Sequence, residues 1–178
     1  MTLPTWITLS RLLGVPLVLW LLLDPTQEHR WASAIVFLLA AGTDWLDGYL
    51  ARRLDCVTEL GKFLDPLVDK LLVLAPLLAL VDLDRLPGWG VFLLLARELA
   101  IAGWRATPEL AGATVPGANW GGKVKTVVQV IAVALLLAPL PAPWPQIAEG
   151  TFWLAVALTW ASGIAYLWPH RVSNAREH

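Results

Sequence analysis

The sequence predicts an all-α polytopic membrane protein, with six transmembrane helices in a single domain over residues 1–178. Three observations carry that prediction. The chain is 57% hydrophobic and only 15% charged, with mean hydropathy +0.63, whereas soluble domains run about 45–50% apolar and about 25% charged. Six apolar stretches approach the ~20 residues that a helix needs to cross a bilayer. Eight of the 11 tryptophans fall at stretch ends, namely Trp6, Trp20, Trp31, Trp89, Trp104, Trp120, Trp144 and Trp168. Amphipathic rings settle there, between headgroups and water. Trp45, Trp153 and Trp160 read instead as core aromatics. A net charge of -1 and this apolar balance exclude a disordered chain, a charged coiled coil and a basic nucleic-acid binder. The one cysteine, Cys56, excludes an internal disulfide framework.

The first span, 6–23, ends at Asp24-Pro25-Thr26. No Lys or Arg precedes it, Arg11 sits inside it and no small-x-small cleavage site follows, so it reads as a span rather than a signal peptide. The second (31–53), third (61–81) and fourth (89–105) are interrupted by charges, with Pro87-Gly88 between the third and fourth. Pro116-Gly117 precedes the fifth (120–139), and the proline-rich stretch from Pro139 to Pro145 precedes the sixth (147–168). No Asp, Glu, Lys or Arg lies between Lys125 and Glu149, or between Glu149 and Arg171.

Six spans put both termini on one side. That side collects Arg11, Arg52, Arg53, Lys62, Arg105, Lys123, Lys125, Arg171 and Arg176, against Arg30 and Arg85 on the other. The bias places both termini in the cytoplasm, with the inner (cytoplasmic) membrane of a bacterium as the default location.

Asp44, Asp47, Asp65, Asp69, Lys70, Arg97 and Glu98 all fall within spans two to four. A charge near a helix centre costs about 2.5–3.5 kcal/mol on insertion scales, and such residues mark functional sites by default. Asp44 and Asp47 stand at i, i+3, and Asp65 and Asp69 at i, i+4, so each pair shares a helix face. The short connection makes the two helices antiparallel neighbours whose acids converge in the cytoplasmic half. Four facing carboxylates repel one another unless cations sit between them, and all-oxygen donors suit Mg²⁺ or Mn²⁺. His29, His170 and His178 lie in a loop or tail, and no Cys/His cluster suggests zinc. Ion pairs that lock the bundle are the structural alternative. For Gly48 and Gly61 taken singly it is helix packing.

Residues 44–69 read DWLDGYLARRLDCVTELGKFLDPLVD. This run resembles the CDP-alcohol phosphatidyltransferase signature, D-x2-D-G-x2-A-R-x8-G-x3-D-x3-D, at all its fixed positions: Asp44, Asp47, Gly48, Ala51, Arg52, Gly61, Asp65 and Asp69. The resemblance implies that family's fold of six transmembrane helices, a homodimer, and transfer of a phosphatidyl group from CDP-diacylglycerol to an alcohol with release of CMP. It implies two divalent ions on Asp44, Asp47, Asp65 and Asp69, with Asp69 as general base. It also implies CDP-diacylglycerol contacts at Asp44, Asp47, Gly48, Ala51, Arg52, Gly61 and Asp65.

The stretches LPTWITLSR (3–11), LARELAIAGWR (95–105) and WGGKVKT (120–126) extend the resemblance to members whose acceptor is sn-glycerol 3-phosphate. That dianion needs cations. Arg97, Arg105, Lys123 and Lys125 sit at or near the cytoplasmic ends of spans four and five, where they could bind its phosphate. The alternatives are pairing with Glu98 for Arg97, and orientation by the positive-inside rule for the other three. Arg11 and Lys70 could be snorkelling side chains. The family's N-terminal asparagines are Thr2 and Thr5 here, and Ala106 replaces the acid that commonly follows the second arginine. Members that use phosphatidylglycerol or make phosphatidylinositol phosphate are the nearest rivals. A cation transporter is a remote one, since it would expose carboxylates to both faces in turn.

Overall fold

The computed structural model describes residues 3–54, 59–106 and 120–167, with side chains over 11–43, 67–104 and 124–164. All regular structure among them is helical: α1 (Leu3–Leu23), α2 (Gln27–Leu54), α3 (Glu59–Asp82), α4 (Gly88–Ala106), α5 (Trp120–Leu137) and α6 (Trp144–Leu167). Each predicted span falls on one helix. The helices begin up to four residues earlier than the apolar stretches because backbone caps, not hydropathy, set their ends. Thr26 Oγ1 accepts from His29 N at 3.3 Å and starts α2 ahead of its apolar run. At α6, Pro143 O accepts from Ile147 N, and Pro145 occupies a first turn that has no use for its missing N–H.

α3 ends in a Schellman turn. Asp84 N donates to Val81 O at 3.0 Å and Arg85 N to Leu80 O at 2.9 Å, which requires Asp84 in the left-handed region at φ 54.

The core forms from two extensive hairpins, α1 with α2 and α5 with α6. α1 also lies along α3, α5 bridges to α2 and α3, and α4 packs on α6 and α3. α2 and α3 meet as well, over a shorter described stretch. Val18, Phe37, Leu77, Leu80, Leu94, Leu137 and Phe152 are fully buried at these seams. Gly14 lets α1 approach α2 to the point where a Cβ would stand 3.3 Å from that of Ala40.

The outside of the bundle is strongly apolar. Leu13, Leu23, Leu39, Phe92 and Ile164 are exposed, as are Trp20, Trp31, Trp89, Trp104 and Trp144 at helix ends, a surface suited to acyl chains rather than water. Trp160 is exposed too, which corrects its assignment to the core, because its face of α6 has no neighbouring helix among the described residues. Trp153 is half-buried and stacks on Trp89, with ring centroids 4.5 Å apart. Among the described residues, Trp144–Ile164 alone is long and apolar enough to cross a membrane by itself, and Arg11–Leu23 and Val124–Leu137 are shorter apolar helices. Asp69 and Lys70 on α3 and Arg97 and Glu98 on α4 interrupt otherwise apolar helices, and the candidate site is built from these charged residues.

Candidate functional site

All four signature aspartate positions are helical, Asp44 and Asp47 on α2 and Asp65 and Asp69 on α3, so each pair recurs about one turn apart. The side chains of Asp44, Asp47, Gly48, Ala51, Arg52, Gly61 and Asp65 lie outside the described residues, as do those of Arg105 and Lys123. Asp69, Arg97 and Lys125 are described, and they define two adjacent polar clusters.

Asp69 belongs to the first. Arg11 of α1 donates from Nη1 to Asp69 Oδ1 at 2.8 Å. The Arg11 side chain is 1% exposed while that of Asp69 is 45% exposed. Arg11 is therefore not a snorkelling surface charge. It is a buried cation at the α1–α3 contact, and it anchors one oxygen of the carboxylate from behind. The hard oxygen donors of this partly exposed carboxylate fit a divalent ion of the Mg²⁺ or Mn²⁺ kind.

The second cluster joins α4, α5 and α6. Glu98 Oε1 accepts from Arg97 Nη1 at 3.2 Å and also from Lys125 Nζ. Arg97 Nη2 donates to Ser162 Oγ at 2.9 Å, and Ser162 in turn donates to the Thr159 carbonyl. Thr159 Oγ1 accepts from Gln129 Nε2 at 3.0 Å, one turn beyond Lys125 on α5. Arg97, Lys125, Gln129 and Thr159 are all buried. Gly163 makes room for the guanidinium, since a Cβ there would stand 3.0 Å from Arg97 Nε.

Two cations thus share one carboxylate, which leaves the cluster one positive charge in excess among the described residues. Lys70, the residue after Asp69, lies within electrostatic reach of Lys125, so the two clusters adjoin. A buried cation excess beside a half-open carboxylate is an environment that attracts a multiply charged anion.

The Arg97–Glu98 pair is the alternative that the sequence offers for Arg97. The second cation on Glu98, Lys125, and the Ser162 contact of Arg97 are not legible there. Gln129, Thr159 and Ser162 passed unnoticed because spans five and six were judged by charged residues alone. Their signal was available, as polar side chains at helical spacing on otherwise apolar runs.

The profile of the CDP-alcohol phosphatidyltransferase family matches residues 1–161. The chain is 44% identical to the CDP-diacylglycerol–glycerol-3-phosphate 3-phosphatidyltransferase of Bacillus subtilis (strain 168), over 92% of each chain. It is 36% identical to the protein of that name from Pseudomonas fluorescens, over 99% of this chain and 95% of the other. The Escherichia coli (strain K12) protein of that name is also 36% identical, over 92% of each.

Proposed function

Because this chain belongs to the CDP-alcohol phosphatidyltransferase family and is an enzyme of that kind, we propose that it transfers the phosphatidyl group of CDP-diacylglycerol to sn-glycerol 3-phosphate, giving phosphatidylglycerophosphate and CMP. The observation that carries the choice of acceptor is the buried cation excess of Arg97 and Lys125 around Glu98, next to Asp69. An uncharged alcohol would have no use for it, and a phosphate dianion would balance it. Arg105 and Lys123 extend the same acceptor site.

The setting is a six-span single domain, residues 1–178, in the inner membrane, acting as a homodimer with both termini and the site on the cytoplasmic side. The exposed apolar belt and the tryptophans at helix ends support the bilayer. The excess of Lys and Arg on the side of the termini supports the orientation.

In the transfer, Asp69 takes the proton from the acceptor hydroxyl as its oxygen attacks the phosphorus that bears diacylglycerol. The bond from that phosphorus to the bridging oxygen breaks, and CMP leaves with the electron pair. Arg11 holds Asp69 in place for this step. Asp44, Asp47, Asp65 and Asp69 would hold two Mg²⁺ or Mn²⁺ ions, which when bound neutralise the diphosphate and the charge growing on the departing group. Gly48, Ala51, Arg52 and Gly61 would line the CDP-diacylglycerol side. Arg97 and Lys125 orient the acceptor phosphate.

The test supplies purified protein with CDP-diacylglycerol, Mg²⁺ or Mn²⁺, and one acceptor at a time. Release of CMP with glycerol 3-phosphate is the expected result. Release with phosphatidylglycerol, but none with glycerol 3-phosphate, would overturn the assignment.

A further inference from the structure

At the other end of the bundle the turns α1–α2, α3–α4 and α5–α6 meet around a cleft of about 580 Å³, lined among others by Pro25, Gln27, Arg30, Arg85, Pro139 and Pro141. By helical rise it lies roughly 20 Å from Asp69. Arg30 and Arg85 are the two basic residues that the sequence assigns to the outer side, against the general bias, and both line this one cleft. Neither forms an ion pair among the described residues, although Asp24, Glu28, Asp82 and Asp84 lie close in sequence. Burial first, and then repulsion from Arg85, push the Arg30 guanidinium below arginine's ordinary range, yet an arginine keeps its charge in a protein.

Backbone devices hold both residues in place. Arg30 Nη2 donates to Leu136 O at 3.1 Å and Ala138 O at 3.2 Å, which caps the end of α5. Its Nη1 and Nε make no hydrogen bond among the described residues. Arg85 is set by the Schellman turn at Asp84. Gln27 opens α2 on the same cleft and adds the positive end of a helix. Two guanidinium groups on one cleft, half-buried Arg30 and exposed Arg85, with no carboxylate among the lining residues, favour an anion with several acceptor oxygens.

We propose that this cleft binds the phosphate of a membrane-lipid headgroup. A phosphodiester offers the paired oxygens that guanidinium groups grip best. Trp20, Trp31, Trp89 and Trp144, exposed on the helix ends around the cleft, together with exposed Leu23, set its depth at the boundary of headgroups and acyl chains. The site is separate from the transfer centre, and it rests on the membrane setting proposed above, not on the acceptor.

Native mass spectrometry of the full-length protein in neutral detergent measures it, with dioleoylphosphatidylcholine, dioleoylphosphatidylglycerol and the phosphate-free dioleoylglycerol as probes. Arg85→Gln, Arg85→Glu and the double variant Arg30→Gln/Arg85→Gln should bind both phospholipids more weakly than wild type, the double variant by about tenfold. Dioleoylglycerol should not distinguish them. Arg85→Gln and Arg85→Glu leave the α5 cap intact, so they decide the matter even if the double variant fails to fold. Equal phospholipid binding by wild type and the Arg85 variants overturns the proposal. Complete displacement of the lipids by millimolar inorganic phosphate overturns the lipid assignment in favour of a free-phosphate site. CMP release, measured in parallel, should be unchanged in Arg85→Gln. Its absence in wild type would count against the proposed transferase reaction and not against this cleft.

Discussion

Arg11 donates to Asp69 across the α1–α3 contact at 2.8 Å, and the buried partner is the cation. Desolvating a guanidinium costs several kcal/mol unless an anion and good geometry offset it. Asp69 supplies that offset through Oδ1, and its side chain is 45% exposed. α1 thereby does more than cross the bundle, because it fixes the orientation of the carboxylate assigned the proton.

Arg11→Lys should keep the charge but lose the planar fork, and so fold while turning over about tenfold more slowly. Arg11→Ala should also lower stability. The loss should fall short of the about 3–5 kcal/mol seen when a fully buried pair is broken, because Asp69 reaches solvent. Turnover numbers and thermal midpoints of the two variants, read side by side, separate positioning from folding. Wild-type turnover in Arg11→Lys would remove the positioning role.

Asp69→Asn retains an oxygen that can accept from Arg11 but cannot take a proton. CMP release should fall by about 100-fold or more, with a thermal midpoint near that of wild type and with nucleotide still bound. Full activity in this variant would refute the general-base assignment.

The six helices among the described residues were legible because long apolar runs report helices, and each predicted span overlaps one of them. Helix ends were less so. Thr26 and Pro143 set them through backbone hydrogen bonds that hydropathy does not register. Arg97 was legible as a charge inside a span, and Lys125 as a cation near the cytoplasmic end of span five. Arg11 was misjudged because a basic residue near a span end ordinarily snorkels, and only the packing of α1 on α3 reveals its partner 58 residues away. The Gln129–Thr159 bond was hidden for a similar reason, since each residue alone is an unremarkable polar side chain.

Glu98 is the counter-ion of two buried cations, so its charge governs how hungry the cluster is for anions. Glu98→Gln should destabilise the ligand-free protein by leaving Arg97 and Lys125 to repel each other. Glycerol 3-phosphate should restore part of that loss, so the thermal shift it induces should be larger in Glu98→Gln than in wild type. Equal shifts would mean that the acceptor phosphate does not settle among these cations.

Gly163 offers the sharpest separation of site from scaffold. A Cβ at this position would stand 3.0 Å from Arg97 Nε and 3.3 Å from Cγ, so Gly163→Ala must move the guanidinium by a few tenths of an ångström. Arg97 is buried, and its Nη2 contact with Ser162 leaves little freedom to retreat. On the proposed roles, misplacing Arg97 weakens the hold on the acceptor more than it alters proton transfer at Asp69 on α3. KM for glycerol 3-phosphate should rise about tenfold while KM for CDP-diacylglycerol and the turnover number change little. Gly90→Ala provides the contrast, since its Cβ would stand 2.9 Å from Phe152 in the apolar α4–α6 seam. Overpacking there should cost about 1–3 kcal/mol of stability and leave both KM values alone. If the two alanine variants behave alike, with stability lost and acceptor KM unchanged in both, Arg97 is a structural cation and the acceptor phosphate lies elsewhere.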